Sequence, residues 1–472
     1  MPDEPQPGDR EPPEEPHDGS GEGSGESPPG ASPAPPGGDP SPPGAGPGGI
    51  PGLEGLAGLG GLGGLSGMSG LGGFPGLENV DLGQIMRMLQ STGPVNWEVA
   101  AQVAGVVALE GGDERPVDPA AADQLTELAH AAQAQVVAET GLGETLGGPV
   151  RALTRTEWAD LHLEALKPVL EALASTLGDA LTEQLADEAG AAPELTDPNL
   201  PGGPGAGDPF AAFAGLFPML APLLLGVQAG SMVGYLAQHA LGRYDLPLPT
   251  SDAPALCFVV ENLDTFEDAW SLPRADLRFY VALHEVVHAA QRTVLWVRDR
   301  LVELATEYVS SYQLDADVLE AQFGDLDPMN PESLQALAER PEELLGAMQS
   351  DRQREVLGRL RVLTSVLEGY ADEVLARIGR RLIPSYDQIH EAIQRHRIER
   401  GEAERFIEGL IGLKLERDDY ERGAAFCRGV VERAGSEGLN RLWSGVHMVP
   451  TPAELEAPGL WLARIDLPDT DA

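Results

Sequence analysis

Apolar residues recur along most of this chain at the three-to-four spacing of an amphipathic helix, and only once as the compact run of a strand. Ile85, Met86, Met88 and Leu89 predict a first short helix, and residues 97–109 a second. Residues 119–140 are rich in alanine with spaced Leu and Val, a strong helix former. Thr154 and Glu157 have the spacing of a capping box. They precede Leu161, Leu163, Leu166, Val169, Leu170, Leu173 and Leu177, which together predict a long helix kinked at Pro168. Residues 187–208 read as a Gly/Pro-rich loop, and 244–250 as a turn or extended link. The run Ala255–Val260 is short, apolar and β-branched at its end, the clearest strand. Helices are predicted thereafter at 274–295, 297–312, 331–339, 353–382, 386–397, 402–413 and 424–434. The fold expected is mainly α with a small β-sheet.

One stretch departs from amphipathic spacing. Residues 210–241 are almost wholly apolar, but Pro218 and Pro222 interrupt them, and Gln228, Ser231, Gln238 and His239 sit in the second half. The pattern favours two buried helices over a membrane span. Gly226, Gly230 and Gly234 recur every fourth position and give one smooth stripe for close approach of another helix.

Composition divides the chain. Residues 1–78 are dominated by Pro, Gly and acids and then by short Gly-Leu units, so they lack the apolar surface to offset the entropy of ordering and are expected to be disordered. Residues 79–250 form an N-terminal helical region and 251–472 the part that carries chemistry, the two packed as one unit. With 31 Lys+Arg against 75 Asp+Glu, the net charge is -44. Such a surface repels phosphate backbones and anionic lipids, which argues against nucleic-acid and membrane partners. Cys257 and Cys427 lie in apolar surroundings and read as buried reduced thiols. The acidic, proline-rich start lacks the basic and then apolar pattern of a secretory signal, so the cytoplasm is the compartment expected.

The chemistry concentrates in residues 281–291, Val-Ala-Leu-His-Glu-Val-Val-His-Ala-Ala-Gln. On a helix His284 and His288 share one face one turn apart, where two imidazoles can grip one ion. Glu285 projects beside them, where it can take a proton from water. A polar trio in an apolar helix is costly without partners, and a metal supplies them. A third His six residues on is absent, since position 294 is Val. The remaining source is a later helix: Glu368 stands in Thr-Ser-Val-Leu-Glu-Gly-Tyr-Ala-Asp, with Gly369 removing a side chain where two helices must meet. Asp372 lies four residues on, a spacing that suits a carboxylate orienting a ligand histidine. The competing reading of Glu368 and Asp372 is a solvated acidic face.

The runs Leu241-Gly-Arg-Tyr-Asp-Leu-Pro, Leu283-His-Glu-Val-Val-His, Leu367-Glu-Gly-Tyr-Ala-Asp and Gly438-Leu-Asn-Arg-Leu-Trp443 resemble a bacterial family of zincin-like proteins. That family, of gluzincin type, is labelled zinc-dependent metalloprotease or deazaflavin-cofactor-biosynthesis-associated. The resemblance covers about residue 80 to the C-terminus. It implies a zincin-like core, Zn2+ held by His284, His288 and Glu368, Glu285 as general base and Asp372 as orienter.

The function expected is zinc-dependent hydrolysis of a peptide or protein substrate. Two alternatives stand: a zinc-bearing binding or assembly module without turnover, and a hydrolase of a small amide or ester in cofactor metabolism. An oxyanion donor is also needed, for which Tyr370, Tyr386 and His390 are candidates, although His390 sits in a polar helix that reads as surface. His396, between Arg395 and Arg397, reads as part of a solvated face, and strand 256–260 as an edge for a substrate backbone.

Overall fold

The computed structural model describes residues 93–144, 148–191, 209–249, 255–313, 350–398, 409–410, 412 and 415–467. The expected tail at 1–78, the helix at 85–89, the helix at 331–339, most of the helix at 402–413 and most of the loop at 187–208 lie outside these residues.

Local signals set many of the helix starts. In α1 (Trp97–Ala108) the Asn96 side chain accepts from the Val99 amide at 3.1 Å. In α2 (Pro119–Thr140) Asp118 caps the first turn, Pro119 occupies its first position, and Gly141 ends it with φ 70°. A short strand, β1 (Val150–Leu153), leads into α3 (Arg155–Ala191), where Thr154 and Glu157 bond reciprocally at 2.9 and 3.2 Å. The helix runs on through Pro168 and past the expected loop start at 187. The apolar stretch forms one helix, α4 (Pro209–Ala237), in place of the expected pair. Neither Pro218 nor Pro222 ends it; the backbone carbonyl of Pro222 takes an amide from outside, that of Asn96, at 2.8 Å.

β2 (Leu256–Val259) pairs in parallel with β1, Val150 opposite Leu256 through Leu153 opposite Val259. Its four residues are all buried. Gly242 bridges Phe258 antiparallel, with the Val259 amide bonded to the Leu241 carbonyl at 3.0 Å. The strand expected to present an edge to substrate is therefore partnered and enclosed at these positions. After it come α5 (Val260–Ala269), α6 (Arg274–Thr293), α7 (Leu295–Val309), α8 (Asp351–Leu382), α9 (Tyr386–Ile398) and α10 (Arg417–Asn440). Two 3-10 turns and the short helices α11 (Pro452–Glu456) and α12 (Pro458–Ile465) follow. The described residues are mainly helical, with a small two-stranded parallel sheet.

One buried apolar cluster draws on residues from Val95 to Trp461. Glycines set two of its closest helix crossings. A β-carbon on Gly226, Gly230 or Gly234 would run into the backbone of Asn96, Ala100 or Ala104, so the predicted stripe on α4 is the bed for α1. Gly369 of α8 and Gly423 of α10 meet backbone to backbone, with no room for a β-carbon on either. Cys257 and Cys427 are buried thiols that are not joined in a disulfide. Among the described residues no helix is long and apolar enough to cross a membrane.

Gly230→Ala forces α1 and α4 apart and is expected to cost about 1–3 kcal/mol of stability. Equilibrium denaturation of the variant against the parent chain measures it.

Candidate metal centre

Helix α6 is buried along almost its whole second half, polar residues included. His284, Glu285 and His288 are 4%, 0% and 1% exposed. Helical spacing brings the two imidazoles to 4.4 Å between centroids. Glu368 reaches them from α8, its Oε1 3.8 Å from His288 Nε2. One ligand-capable atom from each of these three residues lies within 4.8 Å of the other two. The structure thus brings together the three side chains that the sequence proposed from 80 residues apart.

The donor set fits a divalent metal. His288 Nδ1 faces the Gln291 Oε1 at 2.9 Å, and Gln291 Nε2 donates to the Leu367 carbonyl at 2.8 Å. That chain fixes the Gln291 amide, so Nδ1 carries the proton and Nε2 presents a lone pair. His288 Nε2 is buried with no hydrogen-bond partner among the described residues. Burial holds both imidazoles well below their usual pKa, helped at His284 by the neighbouring His288 and at His288 by Arg292. Two neutral imidazoles and one carboxylate are the ligands zinc takes in a catalytic site.

Glu285 is held by backbone. The Arg243 amide donates to its Oε2 at 2.8 Å, and the Tyr244 amide to its Oε1 and Oε2 at 3.0 and 3.1 Å. Gly242 gives the carboxylate its space, since a β-carbon there would overlap it. Its Oε1 is 3.6 Å from His284 Nδ1. Burial pushes its pKa up to about 8, against the pull of the two amides. A void of about 10 Å³, near the lower limit for one water, borders Glu285, His284, Asp245 and Arg397.

The surroundings of the trio differ from the sequence expectation. Asp372 was expected to orient a ligand histidine, yet it accepts from Arg397 Nη1 at 3.5 Å and Gln394 Nε2 at 3.4 Å. Gln291 is what touches His288. The signal for it was its place three residues after His288, within the same helical turn. Arg397, the neighbour of the His396 expected on a solvated face, is 5% exposed. Its Nη2 donates to His284 Nε2 at 2.5 Å, and its Nη1 lies 3.6 Å from Glu368 Oε2. Burial works against its charge, but Glu368 and Asp372 outweigh burial and raise its pKa.

Two of the three expected oxyanion donors are hydrogen-bonded elsewhere, and the hydroxyl of the third, Tyr386, is buried without a hydrogen bond among the described residues. The Tyr370 hydroxyl donates to Asn440 Oδ1 at 2.7 Å, and its ring packs edge-on against Trp443. His390 is half-buried, not a surface residue, with Nδ1 2.9 Å from the Tyr280 hydroxyl. Tyr386 stacks on His390 and is 2% exposed. Tyr386, His390, Asp372 and Gly369 line a cavity of about 380 Å³ between α8, α9 and α10.

A helix-borne pair of imidazoles met by a carboxylate from a second helix defines a zincin-type centre. The sequence model of the zincin-like metallopeptidases matches residues 95–462, and the chain belongs to that family. The family implies a divalent metal, typically zinc, and hydrolase chemistry. A crystal structure from Chloroflexus aurantiacus, described as "a putative hydrolase with a novel fold", is 25% identical. It is similar over 79% of this chain and 99% of its own, with a TM-score of 0.51. No curated protein matches the sequence.

Gln291→Leu removes the acceptor on His288 Nδ1 and the side-chain bond to the Leu367 carbonyl. It is expected to weaken zinc affinity by about ten- to a hundredfold, as read by chelator competition.

Proposed function

We propose that the chain is a zinc-dependent amide hydrolase acting on a peptide or a comparably compact amide, with His284, His288 and Glu368 as metal ligands and Glu285 as general base. The observation that carries this reading is the convergence of two neutral imidazoles and one carboxylate, with an orphaned Nε2 lone pair on His288. When bound there, zinc supplies Lewis-acid polarisation of a carbonyl and acidifies water.

The remaining work falls to the chain's own side chains. Glu285 accepts the proton of the attacking water and returns it to the leaving nitrogen. Supporting this role, the amides of Arg243 and Tyr244 hold the carboxylate in one orientation, and they leave it lone pairs to spare. Its pKa, raised to about 8 by burial, lies near neutrality, where one group can both take and release a proton. Gln291 keeps the His288 tautomer with Nε2 free. Arg397 and its carboxylate neighbours keep charge near balance in a site that excludes bulk water.

A compact substrate is favoured by the same surroundings. Strand β2, the place looked to for a peptide groove, is buried and partnered. The space that adjoins Asp372 is a cavity of about 380 Å³ between helices.

Glu285→Gln is expected to keep one zinc per chain and lower kcat on a fluorogenic peptide library by about a hundredfold or more. Metal analysis and initial rates on the same preparation check it. Undiminished turnover with zinc retained would remove Glu285 from the role of base.

A further inference from the structure

We propose that Arg397 is the catalytic donor of this site, the guanidinium that meets the negative charge developing on the substrate's carbonyl oxygen. The inference rests on the reading of the centre as hydrolytic and adds the residue that reading lacks.

The argument starts from one lone pair. His284 Nε2 can serve a single partner. It now accepts from Arg397 Nη2 at 2.5 Å, while His284 Nδ1 faces Glu285 Oε1 at 3.6 Å. A metal taken by Nε2 therefore displaces Nη2 from that nitrogen. Other contacts hold the guanidinium in place. Nη1 lies 3.5 Å from Asp372 and 3.6 Å from Glu368, and the group lies over the Tyr420 ring, 5.9 Å from its centroid. Metal loading thus creates a released N–H donor beside the ligand set, on a side chain 2% exposed. A buried donor without an acceptor is costly, and the site has every reason to take up an oxygen there. A fixed cationic donor next to a polarised carbonyl is what an oxyanion requires.

The alternatives are weaker on the same geometry. Tyr370 donates to Asn440, His390 bonds Tyr280, and the Tyr386 ring stacks on His390. None of these lies against His284, His288 or Glu368. Arg397 touches two of the three.

Three measurements test the assignment. The first compares crystal structures of the wild-type protein after chelation and after zinc loading. Nη2 is expected to leave His284 Nε2, with the Asp372 pairing kept and the freed nitrogen facing the solvent-accessible side of the metal. A guanidinium turned behind Glu368, away from that side, would overturn the proposal. The second is zinc affinity of Arg397→Met and Arg397→Lys by chelator competition. Removing a like charge beside the ion is expected to leave affinity unchanged or raise it about tenfold in the Met variant. A loss beyond about tenfold in both variants would make Arg397 only a clamp for the ligands. The Lys variant keeps the charge that Glu368 and Asp372 need, so this arm survives if the Met variant fails to fold. The third is kinetic. Arg397→Met is expected to lower kcat by about a hundred- to a thousandfold at little changed KM. Added guanidinium should restore part of it. A raised KM with kcat intact would assign the residue to substrate binding and refute the donor role. The first two arms need no turnover, so they stand apart from a failure of the hydrolase reading itself.

Discussion

Burying three ionisable side chains within five residues of one apolar helix is the constraint on which the rest of this structure turns. His284, Glu285 and His288 are all but sealed from solvent. An isolated charge there would cost several kcal/mol, and an unpaired lone pair costs as well. The fold answers each group separately. Two backbone amides take Glu285, the Gln291 amide oxygen takes His288 Nδ1, and the Arg397 guanidinium takes His284 Nε2. His288 Nε2, the atom that faces Glu368, is left buried without a hydrogen bond among the described residues.

Each of those answers depends on a close approach that small residues permit. Gly242 lets the 242–244 backbone press against the Glu285 carboxylate, and its bridge to Phe258 ties that loop to the sheet. Gly369 and Gly423 let α8 and α10 cross in backbone contact, which sets the position of Glu368 one residue earlier. Helix α9 then closes the site with Arg397, supported by Asp372 from α8. The small parallel sheet is minor in area, yet it fixes the loop that orients the base. Packing and chemistry are in this sense the same contacts.

Much of this was legible in the chain. The spacing of His284, Glu285 and His288 marked the helix and the ligands, the Gly-x-x-x-Gly-x-x-x-Gly stripe marked the α1–α4 contact, and Gly369 marked a helix crossing. The roles of Asp372 and Arg397 were not legible, because both depend on where α9 lies in space and not on periodicity. Arg397 sits among Arg395 and His396, a polar run that reads as solvated until a buried carboxylate pair is placed opposite it. Residues 150–153 are too short and too mixed in polarity to stand out as a strand; they become one by pairing with β2. Two prolines in α4 argued for a break, but tertiary packing kept one helix.

The central claim is that His284, His288 and Glu368 close around a single divalent ion. Zinc-edge X-ray absorption of the purified protein tests it most directly. The account predicts one zinc per chain, nitrogen and oxygen scatterers at about 2.0–2.1 Å, and the outer-shell pattern of two imidazoles. A spectrum with sulfur in the first shell, or one with no imidazole signature, would contradict it.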